Sequence, residues 1–452
     1  MPFPWESLHM NASPAAVIDP QTHYRRWQNR ILWTVWVTYG SFYFCRANIS
    51  AAVPGMQEEL DLDPLQVGMI LGWMKICYAA GQFINGQLGD RLGAKRMLLL
   101  GMLASVALNF LFGLGTAVWF LVFVWAANGY FQAMGWPACV KVMSAWFPAA
   151  GRGKAMGFIG VGYQLGAALV LVLSGRLIGA TGNWRMAFYV PAAIFLLSAI
   201  HTQLRLRNTP EDAGLPPLET VVESPREHLP LRETLRFVLT SPRLWVVALG
   251  LFGLDLARYG FLDWAPAHLK EVQHTGIESA VLKAAILPLG GALGAYVSGW
   301  LTDRYFQSRR APVTCVMLAL LGVVTLAYDA VVQTSFLATV VLLGLIGFMI
   351  YGPQVILVGT MAADFSTRRT AASAAGFIDF VGYLGAFASN WLTGYLLKHY
   401  DWHAAVTAWA VVSFATAALI ATLWNAKPVS EETAKAAGAA GSDTPHTGQE
   451  SA

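Results

Sequence analysis

The chain has 452 residues, of which 56% are hydrophobic and 12% are charged, and its formal net charge at pH 7 is +4. A soluble globular chain carries about twice that charged fraction, so the composition excludes an ordinary soluble domain. The basic residues occur in short, dispersed groups, which disfavours a nucleic-acid-binding surface. An enzyme is not expected either, because no nucleophile, metal site or nucleotide-binding loop stands out, and no cofactor is indicated.

Twelve apolar windows of about 20 residues or more follow one another along the chain. Each is long enough to cross the roughly 30 Å hydrocarbon core of a bilayer. They lie at 29–55, 64–87, 97–115, 118–146, 155–180, 184–205, 243–271, 276–302, 311–332, 335–363, 371–398 and 402–425. The sequence therefore predicts an all-α membrane protein with twelve transmembrane helices, embedded in the lipid bilayer.

The loops between these windows differ in charge. Residues 58–63 are acidic, whereas the basic residues crowd alternate loops, at Arg25, Arg26 and Arg30, at Arg91, Lys95 and Arg96, at Arg152 and Lys154, at Arg304, Arg309 and Arg310, and at Arg368 and Arg369. The positive-inside rule then predicts that both termini are cytoplasmic. Residues 1–28 form a polar segment without a cleavable signal pattern, and the tail 426–452 is expected to be disordered. We expect a multi-pass protein of the cell (inner) membrane.

Two arginines, Arg46 and Arg258, lie inside apolar windows. Placing a guanidinium in hydrocarbon costs about 3 kcal/mol or more, so an intramembrane arginine marks a functional site by default. The two arginines occupy corresponding positions in the two halves of the chain. This pairing favours one polyanionic ligand held between the halves.

The sequence repeats itself at an offset of about 212–219 residues. The matching positions are Arg46 and Arg258, Asp90-Arg91 and Asp303-Arg304, Gly157-Phe158-Ile159 and Gly376-Phe377-Ile378, Gly166 and Gly385, Gly175 and Gly394, and Trp184 and Trp402. Two six-helix bundles, 29–205 and 243–425, are predicted, joined by a cytoplasmic central loop, 206–242. This organisation is typical of transporters with parallel repeats about an axis normal to the membrane.

Several strings carry a resemblance to a known family. They are Gly86-Gln-Leu-Gly-Asp90-Arg91-Leu-Gly93-Ala-Lys95-Arg96, Tyr43-Phe-Cys-Arg46-Ala-Asn48, Gly135-Trp136-Pro137, Asn208-Thr-Pro-Glu-Asp-Ala-Gly-Leu-Pro-Pro217, Arg258-Tyr-Gly-Phe-Leu-Asp263-Trp264, Tyr351-Gly-Pro353 and Gly382-Tyr383-Leu-Gly385. Over about residues 29–425 the chain resembles the major facilitator superfamily, and within it the organophosphate:phosphate antiporter family, especially its glycerol-3-phosphate transporters. The resemblance implies two pseudo-symmetric bundles that rock about a central site.

Tyr39, Tyr43 and Arg46 are spaced i, i+4 and i+7, which places them on one face of a helix. The resemblance implies that Arg46 and Arg258 bind the substrate phosphate and that the tyrosines line the cavity. A planar guanidinium suits this role, since it is permanently charged and binds phosphate oxygens in pairs. The alternative is an arginine that reaches an interface or neutralises an acid.

The acid Asp255 departs from the family pattern, which has an aromatic residue there. It lies three residues before Arg258 and can face the same way. One interpretation is an ion pair that opens when substrate arrives, and the other is a fixed structural pair. Asp379 is a second unexpected acid, four residues before Tyr383, and a lone acid there is costly unless it is paired or protonated.

The cationic residues of the expected site also differ from the family pattern. Gln82 stands where the family has a lysine, while Lys75 lies two helical turns earlier and either replaces that cation or contacts Asp379 or a carbonyl. Tyr163 replaces a family histidine. Trp136 is expected either to close the cavity by packing or to contact the ligand.

The repeated acid–arginine pairs are assigned to gating. Asp90-Arg91 and Asp303-Arg304 are expected to lock the cytoplasmic helix ends through salt bridges and helix-dipole contacts.

The function predicted from these residues is secondary active transport of a small organic anion by alternating access. An organophosphate of the glycerol-3-phosphate kind, or a phosphonate, would exchange for inorganic phosphate. The alternatives are proton-coupled anion uptake that uses Asp255 and Asp379, and a transporter-like membrane sensor. The expected partners are the anionic substrate, inorganic phosphate and lipid, and a monomer is expected.

Overall fold

A computed structural model describes residues 20–216, 238–306, 309–366 and 371–426, and this part of the chain is helical with no β-strand. The helices are α1 Pro20–Phe42, α2 Asn48–Leu60, α3 Pro64–Leu92, α4 Ala94–Leu114, α5 Val118–Gln132, α6 Gly135–Trp146, α7 Ala149–Thr181, α8 Met186–Arg205, α9 Pro242–Val272, α10 Ile277–Ala284, α11 Ile286–Tyr305, α12 Arg310–Val331, α13 Phe336–Val355, α14 Ala371–His399 and α15 Trp402–Ala421. A π-helical turn, Ile356–Met361, and a last turn, Ala362–Asp364, extend α13.

Each predicted apolar window falls on one helix or on two consecutive helices. Among the described residues, eight helical segments are long and apolar enough to cross a membrane. Two further windows are each broken into a pair of shorter helices, α1 with α2 and α5 with α6. The last two, α3 and α14, carry polar residues such as Lys75 and Asp379 within their apolar stretch. The all-helical membrane fold predicted from the sequence is confirmed.

Because the helices alternate in direction, the start of α1 and the end of α15 lie at the same end of the bundle, called here the termini end. The turns at 61–63, 182–185, 273–276 and 400–401 lie at the opposite end. Most of the predicted central loop, at 217–237, and of the tail, at 427–452, lies outside the described residues, as does the segment 1–19.

The internal repeat recurs in the contacts. Trp184 donates its indole N–H to Glu59 at 2.9 Å, and Trp402 donates in the same way to Glu271 at 2.8 Å. The two tryptophans are 218 residues apart and the two glutamates 212, which are the offsets found in the sequence. An equivalent indole–carboxylate hydrogen bond therefore joins equivalent positions in the two halves.

Close helix contacts repeat in the same way. A Cβ on Gly166 would lie 2.2 Å from the carbonyl oxygen of Gly40, and a Cβ on Gly385 would lie 2.1 Å from that of Phe252. These glycines allow α7 to meet α1, and α14 to meet α9, at backbone distance, as is common between membrane helices. Equivalent helices of the two halves therefore meet at equally short backbone distances.

The two halves meet tightly toward the opposite end. A Cβ on Gly68 of α3 would lie 2.3 Å from the backbone oxygen of Asn390 on α14. Lys398 pairs with Asp63 at 2.8 Å across the same boundary. A second pair, Lys270 with Glu58 at 3.3 Å, joins the ends of α9 and α2. The opposite end is therefore closed, which leaves the space between the halves accessible from the termini end.

Candidate functional site

A cavity of about 640 Å³ lies between the two halves and is lined by both. The predicted residues that line it are Tyr39, Tyr43, Arg46, Gln82, Trp136, Tyr163, Arg258, Asp379 and Tyr383. Lys75 and Asp255, also predicted for the site, are not among its lining residues. The lining residues of α7 lie at 156–164, near its start at Ala149, so the cavity extends from the middle of the bundle toward the termini end.

Arg46 lies in a break between two helices. Helix α1 ends at Phe42, the turn Tyr43–Cys45 is 3-10, and Arg46 has φ −131° and ψ −49° before α2 begins at Asn48. The single continuous helix predicted through Tyr39, Tyr43 and Arg46 is therefore wrong for the backbone. Their side chains nevertheless line one cavity, because the break spans little more than a turn.

Buried amides stabilise this break. The Cys45 carbonyl oxygen, freed from the helical pattern, accepts hydrogen bonds from Asn128 at 2.9 Å, Asn109 at 3.4 Å and Gln132 at 3.5 Å. An unsatisfied carbonyl at membrane depth would cost several kcal/mol, so irregular backbone survives there only where protein groups bind it. The amides of α4 and α5 thus hold the backbone that carries Arg46.

The Arg46 guanidinium reaches across to the other half. Its Nη2 donates to the Tyr383 hydroxyl at 3.0 Å, which is the one hydrogen bond of this side chain among the described residues. Its Cζ lies 4.2 Å from the ring centroid of Tyr78 and 5.3 Å from that of Tyr43. A guanidinium has five N–H donors, so most remain available to an anion in the cavity.

Arg258 lies within the unbroken helix α9 and is already paired. Its Nη1 donates to Oδ1 of Asp255 at 3.1 Å, and both side chains are buried, 8% and 2% exposed. Its Cζ lies 4.9 Å from the Tyr259 ring and 5.0 Å from the Tyr351 ring. The ion pair between Asp255 and Arg258 expected from their spacing is thus present in the ligand-free protein.

Lys75 forms a buried ion pair and is not among the residues that line the cavity. Its Nζ lies 2.9 Å from Asp263, whose other partner is the Asn390 amide at 2.9 Å, and Asn390 in turn accepts from the Trp264 indole at 2.9 Å. The pair joins α3 of one half to α9 of the other. The sequence suggested Asp379 or a carbonyl as the partner of Lys75, and the partner observed is instead Asp263.

The Asp379 carboxylate lines the cavity without a partner. Within the described ranges it forms no hydrogen bond and no ion pair, and it lies one helical turn before Tyr383 on α14. Its counterpart in the first half, at the repeat offset of 219, is Gly160, which also lines the cavity.

Aromatic rings form the wall of the first half. Tyr43 stacks on Tyr163 with centroids 5.1 Å apart, and Tyr39 lies 5.1 Å from Trp136 and 5.8 Å from Tyr163. Trp136 both packs against a neighbour and lines the cavity, so its two suggested roles are compatible. Gln82 donates to the Tyr78 hydroxyl at 3.2 Å, next to the Arg46 guanidinium.

Of the four residues assigned to gating, Arg304 alone has a described side chain. The side chains of Asp90, Arg91 and Asp303 lie outside the described part of the structure, and Arg304 is exposed in the last turn of α11. Their gating role stays a prediction.

Sequence reasoning missed three tyrosines around the guanidinium groups, Tyr78, Tyr259 and Tyr351. Tyr78 lies three residues after Lys75 and four before Gln82, so the helical spacing of these two predicted residues indicates the same face. Two buried amides were missed as well. Gln164 and Gln354 line the cavity, and their Oε1 atoms are buried without a hydrogen-bond partner in the described chain.

A cavity closed at one end, between two repeated halves of a helical membrane bundle, defines the class of secondary transporters with parallel repeats. Residues 35–390 match the family model described as Major Facilitator Superfamily. The chain therefore belongs to the major facilitator superfamily and is a multi-pass membrane protein.

Similar proteins agree with this assignment. The chain is 29% identical to the glycerol-3-phosphate transporter of Bacillus subtilis (strain 168) over 416 residues, covering 89% of this chain and 93% of that protein. It is 29% identical over 424 residues to the membrane sensor protein UhpC of Salmonella typhimurium, covering 90% and 94%. These relatives confirm the resemblance to the organophosphate:phosphate antiporter family.

The solved structures show the same fold. A bacterial homologue of the human lysosomal transporter Spinster, in an inward-facing and unoccupied conformation, superposes with a TM-score of 0.69 at 16% identity, covering 88% of this chain and 95% of that one.

Proposed function

We propose that the protein is a secondary active transporter that exchanges a small organophosphate or phosphonate for inorganic phosphate by alternating access. The observation that carries the proposal is the cavity between the halves, to which each half contributes one arginine, Arg46 and Arg258. The relative named as a glycerol-3-phosphate transporter supports the same substrate class.

The two arginines differ in how many of their N–H donors are available to a ligand. Arg46 keeps most of its donors free, while Arg258 is neutralised by Asp255 at 3.1 Å. A phosphate that displaces Asp255 would bridge both guanidinium groups and therefore both halves. A ligand that contacts both halves stabilises the states in which they close around it, so this bridging favours movement of the loaded carrier and supports exchange.

The orientation follows from the charge pattern. We place the protein in the cell inner membrane with both termini cytoplasmic, as the basic loops indicate, so that the cavity of this structure opens to the cytoplasm. We propose that it works as a monomer, since a single chain supplies every described wall of the cavity.

Counterflow in proteoliposomes tests the proposal. Preloaded inorganic phosphate should accelerate uptake of labelled glycerol 3-phosphate. Arg46→Lys should lower this exchange by about 100-fold, because an ammonium cannot replace bidentate guanidinium binding. Arg176→Lys is the matched control, since Arg176 is exposed and pairs with Glu278 far from the cavity. An uptake rate that does not depend on internal phosphate would contradict exchange.

The unpartnered Asp379 carboxylate favours a second candidate, proton-coupled anion uptake. Under that mechanism a pH gradient drives uptake without internal phosphate, and Asp379→Asn abolishes it.

The likeness to a membrane sensor favours a third candidate. Ligand binding without any transport in proteoliposomes would support sensing and refute both transport mechanisms.

A further inference from the structure

Asp379 is an acidic side chain within a cavity built for anions. It lines the same space as Arg46 and Arg258 and has no partner within the described ranges. A carboxylate beside a bound phosphate repels it, and in a low-dielectric cavity the repulsion is not small. A pure phosphate ester would therefore bind better without Asp379, so its presence calls for a positive group on the ligand.

When both acids are ionised, the charges in and beside the cavity balance before any ligand enters. Arg46 and Arg258 supply two positive charges, and Asp255 and Asp379 supply two negative ones, with Asp255 already bound to Arg258. A dianionic phosphate ester would leave this site strongly negative. A ligand that carries an ammonium group as well as its phosphate would reduce that excess and give Asp379 a partner.

The positions of Arg46 and Asp379 fit a short ligand with one anionic and one cationic end. Tyr383 touches Arg46 at 3.0 Å, and Asp379 lies four residues earlier on α14, which is about 6 Å along a helix axis. In an aminoethyl phosphate or phosphonate the phosphorus and nitrogen are about 4–5 Å apart when extended, from ordinary bond lengths. The ligand can therefore reach the guanidinium at one end and the carboxylate at the other.

The first half leaves room for the amine. Gly160, the repeat counterpart of Asp379, also lines the cavity, and a methyl group there would meet no atom within 4 Å. The rings of Tyr39, Tyr43 and Tyr163 border this region, and aromatic faces attract ammonium groups.

From these observations we infer that the preferred substrate is a zwitterionic phosphate or phosphonate, with a primary amine two carbons from the phosphorus-bearing group. Arg46 and Arg258 bind its phosphoryl oxygens and Asp379 binds its ammonium. This inference rests on the proposed function, since it assumes that the arginines hold a phosphoryl group.

Binding to the purified full-length protein in nanodiscs tests the inference by calorimetry. The probes are inorganic phosphate, 2-aminoethyl phosphate and propyl phosphate, in which a methyl group replaces the ammonium. The protein should bind the amino ester at least about tenfold more tightly than propyl phosphate, the effect of one charged hydrogen bond. Asp379→Asn should remove this preference while propyl phosphate binds as well as before or better, and Asp379→Glu should keep part of it.

Asp255→Asn is the contrasting variant, because it removes the other acid of the cavity region. It should change the binding of all three probes in the same direction, since it acts through Arg258.

The other outcomes separate the two proposals. Equal binding of both esters to the unchanged protein and to Asp379→Asn would overturn the zwitterion inference and leave phosphate transport standing. In proteoliposomes, loss of pH-driven uptake of every probe in Asp379→Asn, with no change in the binding preference measured in nanodiscs, would also overturn it and make Asp379 a proton carrier. Failure of all three probes to bind would overturn the inference together with the proposed function.

Discussion

The pair between Arg258 and Asp255 sets a measurable barrier to substrate binding. The two groups lie 3.1 Å apart and are both buried, so the carboxylate occupies donors that a phosphate needs. A hydrogen bond between charged groups contributes about 1.5–3 kcal/mol. If phosphate must displace Asp255, Asp255→Asn should tighten phosphate binding by about 10- to 100-fold.

The same substitution should destabilise the ligand-free protein. Removing one partner of a buried pair leaves the other charge uncompensated, at a cost of about 3–5 kcal/mol. The melting temperature of ligand-free Asp255→Asn should therefore fall, and saturating phosphate should restore most of the loss. Calorimetric titration and thermal unfolding of the same preparation measure both effects.

Asp329→Asn provides the matched control, because Asp329 pairs with His403 far from the cavity. Its phosphate affinity should equal that of the unchanged protein. Phosphate binding in Asp255→Asn that is unchanged or weaker would refute the reasoning. It would mean that Asp255 stays bound to Arg258 during transport, as a fixed structural pair.

Three further predictions concern the contact between the halves. Lys75→Met should destabilise the protein by about 3–5 kcal/mol by leaving Asp263 charged and unpaired, and adding Asp263→Asn should recover part of the melting temperature. Burial acts to raise the pKa of Asp63, but the hydrogen bond from Lys398 and those from backbone N–H groups hold it below its usual value. This contact should therefore stabilise the closed opposite end at neutral pH and fail as the pH falls below about 4, seen as lengthened spin-label distances across that end. Gly68→Val should lengthen the same distances at every pH, because its side chain would meet the backbone of α14.

Each of these predictions has an outcome that contradicts it. A melting temperature of Lys75→Met within a degree of the parent would show that the pair with Asp263 does not hold the halves together. Spin-label distances that stay constant as the pH is lowered through the titration of Asp63 would show that its pair with Lys398 does not hold the opposite end closed. Gly276→Val is the control for Gly68→Val, since a Cβ at Gly276 meets no atom within 4 Å.

The fold was largely predictable because membrane helices leave strong marks in a sequence. The length of each apolar window predicts a membrane-spanning segment, and the repeat offsets of Arg46 and Trp184 predict two similar halves. The matching hydrogen bonds of Trp184 and Trp402 agree with that repeat. The break before Arg46 was not predictable in this way. Its cause is long-range, since the Cys45 carbonyl is bound by amides 64 to 87 residues away.

The candidate site was predictable by residue type but not by pairing. Charged residues inside apolar windows identified Arg46, Arg258 and Asp379, and all three line the cavity. Spacing within one helix also indicated the contact of Asp255 with Arg258. The partner of Lys75 could not be found in this way, because Asp263 is 188 residues away on the other half.

The bend that presents Arg46 is fixed through the main chain of Cys45, by neighbours that never touch the guanidinium itself. The backbone that positions Arg46 and the guanidinium that faces the cavity thus depend on different residues. A substitution at position 46 would remove none of these hydrogen bonds, so we expect the anion-binding group to be changeable without a change of fold. In the second half the side chain itself is tied, because Arg258 is bound to Asp255 on the same helix and a change at either residue affects the other.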